Sequence, residues 1–437
     1  MRFFIYLFSL VFLLGCGSKI EVVTPKLSQD PSFYLQEDSP LNISQENLKK
    51  LKEHYLEVWY SPWKNPTPDP RVSEVFWIAP SLLKRPLYGP NFKRYDTEEM
   101  KVLYDSMDME HYPSVALKAI ITKDTAVRAT PTHSPSFKAI DNYPFDRWQN
   151  ALIFQGTPVL ITHYNLTKDW AHIQSSFVYG WVRVSDLAKV SPEDEKFFYG
   201  LKKYALANKD KTPIYDANDA FLGMARVGEI FGVKSEGEKS YEIVLVGRKS
   251  NGFVELKSVR VKKEDFSLFP RKMDILTIAS VIDSMMGQFY GWGGGLQSRD
   301  CSAFVRDVFA NFGIYLPRNS AAQVRYGDNM VDLSKFSSKE KEEYIIKNAT
   351  PFATLLWLRG HIMLYLGVHE GRAIVAHSAW SVMTRKMFVT TERILGGVVI
   401  TTLEPESEKN GLFMKSKTLL DRVQGMSDLY QYVTNLP

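Results

Sequence analysis

Cysteine is nearly absent from this chain, because its 437 residues contain only Cys16 and Cys301. If Cys16 has another use, no intramolecular disulfide can form, which excludes a disulfide-stabilised scaffold. A basic cluster is also missing, since the net charge of +5 is spread along the chain. We therefore expect no nucleic-acid partner. The N-terminal apolar run, Phe3 to Leu14, is too short to cross a bilayer.

That apolar run has the length of a signal-peptide core. It ends in Leu13-Leu14-Gly15-Cys16, which resembles the lipobox of bacterial lipoproteins. The resemblance implies removal of a signal peptide at 1–15, a lipid on Cys16, and export to the periplasmic or cell-wall side of a membrane. The alternative is an ordinary signal peptide in which Cys16 is incidental. With Cys16 lipidated, Cys301 is the sole free thiol, a liability in an oxidising compartment unless it has a use.

The length of the chain indicates roughly three domains beyond the leader. Residues 16–40 are polar, with scattered prolines and no clear periodicity, and predict a tether. Residues 41–112 contain a helix candidate from Ser44 to Tyr60, for which Ser44 is the predicted cap. A proline- and tryptophan-rich stretch follows it. We interpret 41–112 as a packing domain of helical and irregular structure with no chemistry of its own.

The middle of the chain changes to short β runs separated by Gly, Pro, Asn and Asp. Two successive units of this kind, 113–192 and 193–268, predict two small β-barrels. Residues 269–405 form the last domain, which mixes helical and strand patterns. The tail, 406–437, contains one amphipathic helix candidate from Lys417 to Val433 that is expected to dock on the body.

The stretch from Gly287 to Gly313 joins a glycine-dense turn to a cysteine and an amphipathic run. Apolar residues recur at helical spacing up to Phe312, with Asp300 as the candidate N-cap. Cys301 therefore lies at a helix N-terminus, where free N–H groups and the helix dipole favour the thiolate. The glycines are expected to let a substrate chain approach the sulfur. The alternative is that Cys301 is a small buried apolar residue.

Two histidines lie in a predicted hairpin downstream. A three-residue loop that pairs Val368 with Arg372 would place His361 and His377 on one face, within about 8 Å of each other. A shift of one residue would separate them. Imidazole is the side chain suited to activate a thiol near neutral pH, and a second group must orient it. A metal site is disfavoured, because Cys301 and the two histidines lack a fourth ligand at useful spacing.

Together these motifs resemble the NlpC/P60 family of bacterial cell-wall cysteine peptidases over residues 275–400. The matching segments are Tyr290-Gly291-Trp292-Gly293-Gly294, Asp300-Cys301-Ser302, Leu316-Pro317-Arg318-Asn319-Ser320, Gly360-His361 and His377. The resemblance implies an α+β, papain-like catalytic domain and cleavage of peptidoglycan stem peptides between D-glutamate and a diamino acid, without metal or other cofactor. It also implies that Cys301 is the nucleophile, His361 the base and His377 the residue that orients it.

The same resemblance implies that Tyr290, Asp300 and Ser302 bind the N-terminal part of the substrate. An aspartate at that position suits a free α-amine, and hence peptides already released from the glycan. The segments Ile120 to Arg128 and Tyr179 to Val182 look like a bacterial SH3 domain. Such domains either bind cell-wall peptide or pack against a catalytic domain.

The expected partners are therefore peptidoglycan or released murein peptides, and a membrane through Cys16. Two other functions stay open. One is a non-catalytic lipoprotein that binds the cell wall. The other is an acyltransferase or amidase on the same fold.

Overall fold

The computed structural model describes residues 18–36, 40–139, 141–386, 389–405 and 418–436. The predicted signal peptide and the lipidation site Cys16 lie outside these ranges. In the part that is described, no helix is long and apolar enough to cross a membrane. The architecture is mixed α/β, with an N-terminal packing domain, two β-barrels and a C-terminal α+β domain, as predicted.

The chain enters the fold earlier than the sequence suggested. Strand β1 (Ser18–Val22) pairs in parallel with the strand Val389–Thr402 of the C-terminal domain. The side chain of Gln29 donates from Nε2 to the carbonyl of Ile400 at 2.9 Å. Tyr34, in a 3-10 turn, is 4 % exposed and belongs to the C-terminal core. Residues 18–36 therefore pack on the C-terminal domain and do not form the predicted tether, because the backbone pairing of β1 and the buried Pro31 and Tyr34 hold them, although Ile20 and Val22 are exposed.

Helices dominate the N-terminal packing domain. They are α1 (Gln45–Trp59), α2 (Ser61–Lys64), α3 (Val72–Val75), α4 (Ala79–Lys84) and α5 (Thr97–Ser106). The predicted helix after Ser44 is confirmed, and the Ser44 hydroxyl accepts from the Asn47 N–H at 3.1 Å. Leu48 and Leu51 of α1 join the C-terminal core, while Tyr55 packs toward the barrels. Helix α1 thus lies between the catalytic half and the barrels.

The first barrel is a single antiparallel sheet in the order β4-β3-β7-β6-β5-β2-β8. Its strands are β2 (Leu117–Ile121), β3 (Thr125–Arg128), β4 (Gln149–Ile153), β5 (Pro158–Tyr164), β6 (Trp170–Gln174), β7 (Tyr179–Arg183) and β8 (Leu187–Lys189). Helix α6 (Pro192–Gly200) leads to the second barrel. A long loop between β3 and β4 leaves the first barrel and reaches the C-terminal domain.

The second barrel combines a main sheet, in the order β14-β13-β12-β9-β15, with a separate hairpin of β10 and β11. Its strands are β9 (Lys203–Ala207), β10 (Thr212–Tyr215), β11 (Phe221–Ala225), β12 (Phe231–Glu236), β13 (Ser240–Arg248), β14 (Val254–Lys262) and β15 (Phe266–Leu268). Its core is separate from that of the first barrel.

The C-terminal domain packs helices on a mixed sheet in the order β1-β20-β19-β18-β17-β21-β16. Its elements are α7 (Ile275–Asp283), α8 (Cys301–Ala310), α9 (Ser320–Val324), β16 (Val331–Asp332), α10 (Ser338–Asn348), β17 (Thr354–Leu358), β18 (His361–His369), β19 (Arg372–Lys386), β20 (Val389–Thr402), α11 (Leu419–Arg422), β21 (Gly425–Asp428) and α12 (Leu429–Thr434). The apolar face of α8, with Phe304 and Val308, packs with Ile362 and Ala376 of the sheet.

The tail is part of this sheet. The prediction of one amphipathic helix from Lys417 to Val433 was wrong, because β21 interrupts it and lies between β17 and β16. Pairing with β17 holds Gly425–Asp428 extended, and Met426 buries against the sheet core. Residues 418–436 thus complete the catalytic domain, whereas 406–417 lie outside the described residues.

Candidate active site

Helix α8 begins as the sequence predicted, with Cys301 as its first residue. The carboxylate of Asp300 caps it, since Oδ1 accepts from the Ala303 N–H at 2.9 Å and Oδ2 accepts from the Gly293 N–H at 3.0 Å. The cap therefore ties the glycine turn to the first turn of the helix. Cys301 is 8 % exposed, so its sulfur has limited access to solvent.

The histidine hairpin has a shorter turn than predicted. His369 pairs with Arg372 across the two residues Glu370 and Gly371, whose positive φ values of 50° and 75° fit a type I′ turn. The predicted three-residue loop was wrong. A β-bulge between Tyr365 and Gly367 adds the missing residue, which restores the register expected further along the strands.

With that register, the two histidines lie on one face of the sheet. Nε2 of His361 is 2.7 Å from Nδ1 of His377, and Nε2 of His377 is 3.1 Å from the hydroxyl of Thr401 on β20. His377 is fully buried and His361 is partly buried. Nδ1 of His361 is the ring nitrogen left for another partner. Thr401 was not predicted, because nothing in the local sequence distinguishes it from other strand threonines.

The charge states at this site differ from the prediction. Burial and the neighbouring Asp300 raise the pKa of the Cys301 thiol to about 12, although the backbone N–H of Ile362 opposes the shift. Burial, with a smaller effect of Arg422, lowers the pKa of His361 to about 4. The pKa of His377 is also lowered by burial. The helix N-terminus was expected to favour thiolate, but desolvation outweighs it, so both the thiol and the imidazoles are neutral near pH 7.

Asp300 and Ser302 belong to a hydrogen-bonded cluster with Arg318, which the sequence analysis left without a role. The guanidinium of Arg318 donates to Asp300 Oδ2 at 2.6 Å and Oδ1 at 3.0 Å, and to the Ser302 hydroxyl at 2.6 Å. Burial opposes ionisation of Asp300, but Arg318 and two backbone N–H groups bring its pKa below the usual value. Asp300 is therefore held in its ionised form, with Arg318 as its counter-ion.

Tyr290 lies in an aromatic cluster that joins the C-terminal domain to the first barrel. Its ring is 6.1 Å from Trp380 of β19 and 6.5 Å from Phe145 of the β3–β4 loop. In the same cluster Phe145 contacts Trp292 at 5.1 Å and Tyr143 contacts Trp380 at 5.8 Å. The sequence did not indicate this cluster, because its members lie far apart in the chain.

The glycine turn contacts the first barrel directly. The side chain of Gln149 donates from Nε2 to the Gly293 carbonyl at 2.9 Å. A Cβ atom on Gly293 would lie 2.4 Å from the Gln149 carbonyl oxygen, and one on Gly294 would lie 2.4 Å from Cβ of Leu152. Gly293 and Gly294 were expected to admit a substrate chain, but the structure uses them for close packing of strand β4.

No group of three or more His, Cys, Asp or Glu side chains in the described ranges is arranged to hold a metal ion. The site consists of a thiol, two imidazoles, a hydroxyl and an Arg–Asp pair. Such a set can transfer protons and form an acyl-thioester.

Comparison with known protein families gives four matches. Residues 287–395 match the model of the NlpC/P60 family, and 5–112 match the N-terminal NLPC_P60 stabilising domain. Residues 131–183 match an SH3 domain of the SH3b1 type, and 193–238 match an SH3 domain of the SH3b2 type. No curated protein sequence matches the chain.

The solved structures that match the chain include two NlpC/P60 proteins. An NlpC/P60 endopeptidase from Photobacterium damselae subsp. piscicida is 20 % identical, with a TM-score of 0.82 over 94 % of this chain and 99 % of that one. An NlpC/P60 family protein from Bacillus cereus ATCC 10987 is 16 % identical, with a TM-score of 0.48 over 72 % of this chain and 99 % of that one. The chain therefore contains an NlpC/P60 domain, preceded by a domain of the NLPC_P60 stabilising type and by two SH3 domains.

Proposed function

We propose that this protein is an exported cysteine endopeptidase that cleaves the γ-D-glutamyl–diamino acid bond of peptidoglycan stem peptides. The observation that carries the proposal is the chain of contacts from His361 to His377 to Thr401, beside a cysteine at the start of a helix. A protein of this fold that only binds the cell wall and has lost catalysis would not require this series of hydrogen bonds. The family match supports a cysteine peptidase acting on the cell wall.

The hydrogen bonds support Nδ1 of His361 as the nitrogen that acts as the base. If His377 donates from Nε2 to the Thr401 hydroxyl, its Nδ1 accepts from the Nε2–H of His361. His361 Nδ1 then carries a lone pair and can take the Cys301 proton. The opposite direction would place a proton on that nitrogen and prevent base catalysis. Thr401 and His377 thus act as positioning residues for His361.

Because thiol and imidazole are both neutral at rest, proton transfer accompanies attack. The Cys301 sulfur bonds to the γ-amide carbonyl carbon while its proton moves to His361 Nδ1. The backbone N–H of Cys301, at the helix N-terminus, is placed to stabilise the oxyanion. His361 then protonates the leaving amine as the C–N bond breaks. In the second half of the reaction His361 takes a proton from water as the water oxygen bonds to the thioester carbonyl carbon. His361 then gives that proton to the Cys301 sulfur as the C–S bond breaks.

Charge near the nucleophile favours a γ-linked D-glutamate. Such a residue carries a free α-carboxylate, and Arg318 places a guanidinium within 2.6 Å of the Ser302 hydroxyl, one residue from Cys301. Asp300 supplies a carboxylate for the free α-amine, with Arg318 shared between Asp300 and the substrate. Tyr290 lies close enough to Asp300 and Cys301 for their negative charges to add to the effect of burial in raising its pKa. We assign Tyr290, Asp300 and Ser302 to substrate binding on this basis.

Product analysis tests the bond and the substrate class. L-Ala-γ-D-Glu-meso-diaminopimelate is incubated with the protein and with Cys301→Ala, and the products are identified by mass spectrometry. The expected products are L-Ala-D-Glu and free diaminopimelate, from the unaltered protein alone. The N-acetylated tripeptide is the matched substrate, expected to react at least about ten-fold more slowly because the amine no longer pairs with Asp300.

Other outcomes would favour the alternative functions. Cleavage at the L-Ala–D-Glu bond, or transfer of the acyl group to an added amine, would indicate an amidase or acyltransferase. No reaction with any stem peptide, with retained binding to isolated cell walls, would indicate a wall-binding lipoprotein.

We further propose that Cys16 is lipidated and anchors the exported chain. The basis is the apolar run that ends in Leu-Leu-Gly-Cys. Radiolabelled palmitate added to expressing cells should label the protein but not a Cys16→Ser variant, which should also leave the membrane fraction. Label in both forms would contradict the anchor.

A further inference from the structure

A cavity of about 400 Å³ lies where the two barrels and the catalytic domain meet. Lys123 and Asp124 come from the first barrel, Glu229 and Phe231 from the second, and Gln297 from the glycine turn. Neither Cys301 nor the catalytic histidines line it. Its volume is that of a small-molecule site.

Glu229 is a buried carboxylate at the wall of this cavity, only 2 % exposed. One of its oxygens, Oε2, accepts from the Arg226 N–H at 2.9 Å. Glu229 lines the cavity, and among the described residues the N–H of Arg226 is the one hydrogen-bond donor found for its carboxylate. Asp124 accepts from the Gln155 N–H at 3.0 Å and likewise has no ion pair among the described side chains. Burying two carboxylates without a cation is costly unless something else supplies one.

The neighbouring cations are already committed. Arg226 contacts Asp210 at 3.3 Å and donates to the Gln297 carbonyl at 3.0 Å. Arg299 pairs with Asp210 at 2.8 Å and with Asp307 at 2.7 Å. Burial raises the pKa of Glu229 well above its usual value, with a further contribution from Asp124, and burial also raises the pKa of Asp124. Both carboxyl groups therefore favour the protonated form on their own, and a positively charged ligand in the cavity would favour their ionised form.

Much of the remaining lining is apolar, and its cations are Lys123, Lys211 and Arg226, of which Lys123 pairs with Asp186 at 2.9 Å. Ile214 and Leu245 join Phe231 in its walls, and the β10–β11 hairpin presents Phe221 and Met224 at 56 % and 49 % exposure. Such walls suit an aliphatic stem. Lys211 also lines the cavity and has no ion pair in the described part of the chain.

We propose that this cavity is a second binding site, for a free diamino acid whose side-chain ammonium pairs with Glu229 and Asp124. Its aliphatic stem contacts the apolar walls, and its α-carboxylate pairs with Lys211. The ammonium part of the proposal is independent of hydrolysis, while the choice of a diamino acid rests on the proposed substrate.

Isothermal titration calorimetry on the full-length, non-lipidated Cys301→Ala protein tests it. meso-Diaminopimelate should bind saturably, and pimelate, which has both carboxylates but no ammonium group, should bind at least about ten-fold more weakly. 1,5-Diaminopentane should bind more weakly than diaminopimelate, because Lys211 loses its partner. Equal binding of diaminopimelate and 1,5-diaminopentane would overturn the assignment of the site to a diamino acid.

Variants separate this site from product binding at the active site. Glu229→Gln should weaken diaminopimelate binding at least about ten-fold. Met224→Arg lies on the exposed β10–β11 hairpin, where the substitution should not disturb folding. It should also weaken diaminopimelate binding at least about ten-fold, because the longer side chain would block the entrance to the cavity. Met383→Arg on β19, 50 % exposed and away from the cavity, is the matched control and should bind normally. Absence of saturable binding, or binding unchanged in both Glu229→Gln and Met224→Arg, overturns the proposal even if the peptidase is active.

Discussion

At the scale of single residues, burial sets the charge of the nucleophile and of the base. Cys301 is 8 % exposed beside the carboxylate of Asp300, and both contribute to its raised pKa. His361 is neutral for the same physical reason, since desolvation disfavours its charged form. The resting site is therefore a neutral thiol and a neutral imidazole, and the substrate must be present before charge develops.

The pH dependence of alkylation follows from this. In a Cys16→Ser protein, where Cys301 is the sole cysteine, the rate of reaction with iodoacetamide should rise about ten-fold per pH unit from pH 7 to 9, because the thiolate fraction grows below a pKa near 12. The urea-unfolded protein is the control and should level off above about pH 8.5. A rate that is already constant below pH 7 would indicate a preformed thiolate–imidazolium pair instead.

Thr401 is expected to matter through His377. Thr401→Val removes the hydroxyl at nearly constant volume, so His377 loses the partner that fixes its tautomer. We expect kcat to fall about ten-fold with KM little changed, because the lost hydrogen bond is worth roughly 1.4 kcal/mol and no substrate contact changes. Thr401→Ser keeps the hydroxyl and should retain most of the activity. A change in KM alone would assign Thr401 to substrate binding.

The sequence was informative about residues whose chemistry is distinctive. A lone cysteine after an N-cap, followed by two histidines in a predicted hairpin, was enough to propose Cys301, His361 and His377 as one site. Thr401 and Arg318 could not be found in this way, because their roles depend on which strand or loop lies beside them. The raised pKa of Cys301 was missed for a related reason, since a helix dipole is visible in sequence and burial is not.

At the scale of elements, small backbone features hold the site together. The bulge in β18 compensates for the short turn at Glu370 and Gly371, so that Leu364 still pairs with Ala376 and the two histidines meet. The sequence predicted the right register by way of the wrong loop, because turn length and a bulge shift the pairing by equal and opposite amounts. The alternation of apolar residues alone determines neither the length of the turn nor the position of the bulge.

The glycine turn offers a matched pair of substitutions. Gly287 and Gly294 both have positive φ, 71° and 82°, but a Cβ on Gly287 meets nothing within 4 Å while one on Gly294 meets Leu152 at 2.4 Å. Alanine costs about 1–2 kcal/mol of backbone strain at either position. Gly287→Ala should therefore keep most of its activity with a modestly lower Tm. Gly294→Ala should lose most activity by forcing strand β4 away from the turn. If Gly287→Ala and Gly294→Ala lowered Tm and the rate of peptide cleavage to the same extent, this role of the turn would be contradicted.

At the scale of the whole molecule, the domains are interlocked. Tyr34, Leu41 and Ile43 lie in the catalytic core although they precede it by more than two hundred residues. Asp210 of the second barrel pairs with the buried Arg299 two residues before the nucleophile. The domain order was predictable from the alternation of helical and short β patterns and from the motifs. These long-range contacts were not predictable, because nothing local in either segment specifies them.

The peptidase domain should therefore not fold alone. A protein limited to residues 269–437 lacks the N-terminal part of its core and leaves Arg299 without Asp210, and breaking a buried ion pair typically costs about 3–5 kcal/mol. We expect weak near-ultraviolet circular dichroism and no cooperative melting. A cooperative transition close to that of the full chain would show that the preceding domains are accessory.

Direct detection of the acyl-enzyme is the decisive measurement. The protein is mixed with excess L-Ala-γ-D-Glu-meso-diaminopimelate, quenched in acid within the first turnovers, and analysed by intact and peptide mass spectrometry. We predict an L-Ala-γ-D-Glu group on Cys301 that disappears when substrate is exhausted and is absent from Cys301→Ala. Turnover of the peptide by Cys301→Ala at the rate of the unaltered protein, or an acyl group on any other residue, would contradict Cys301 as the nucleophile.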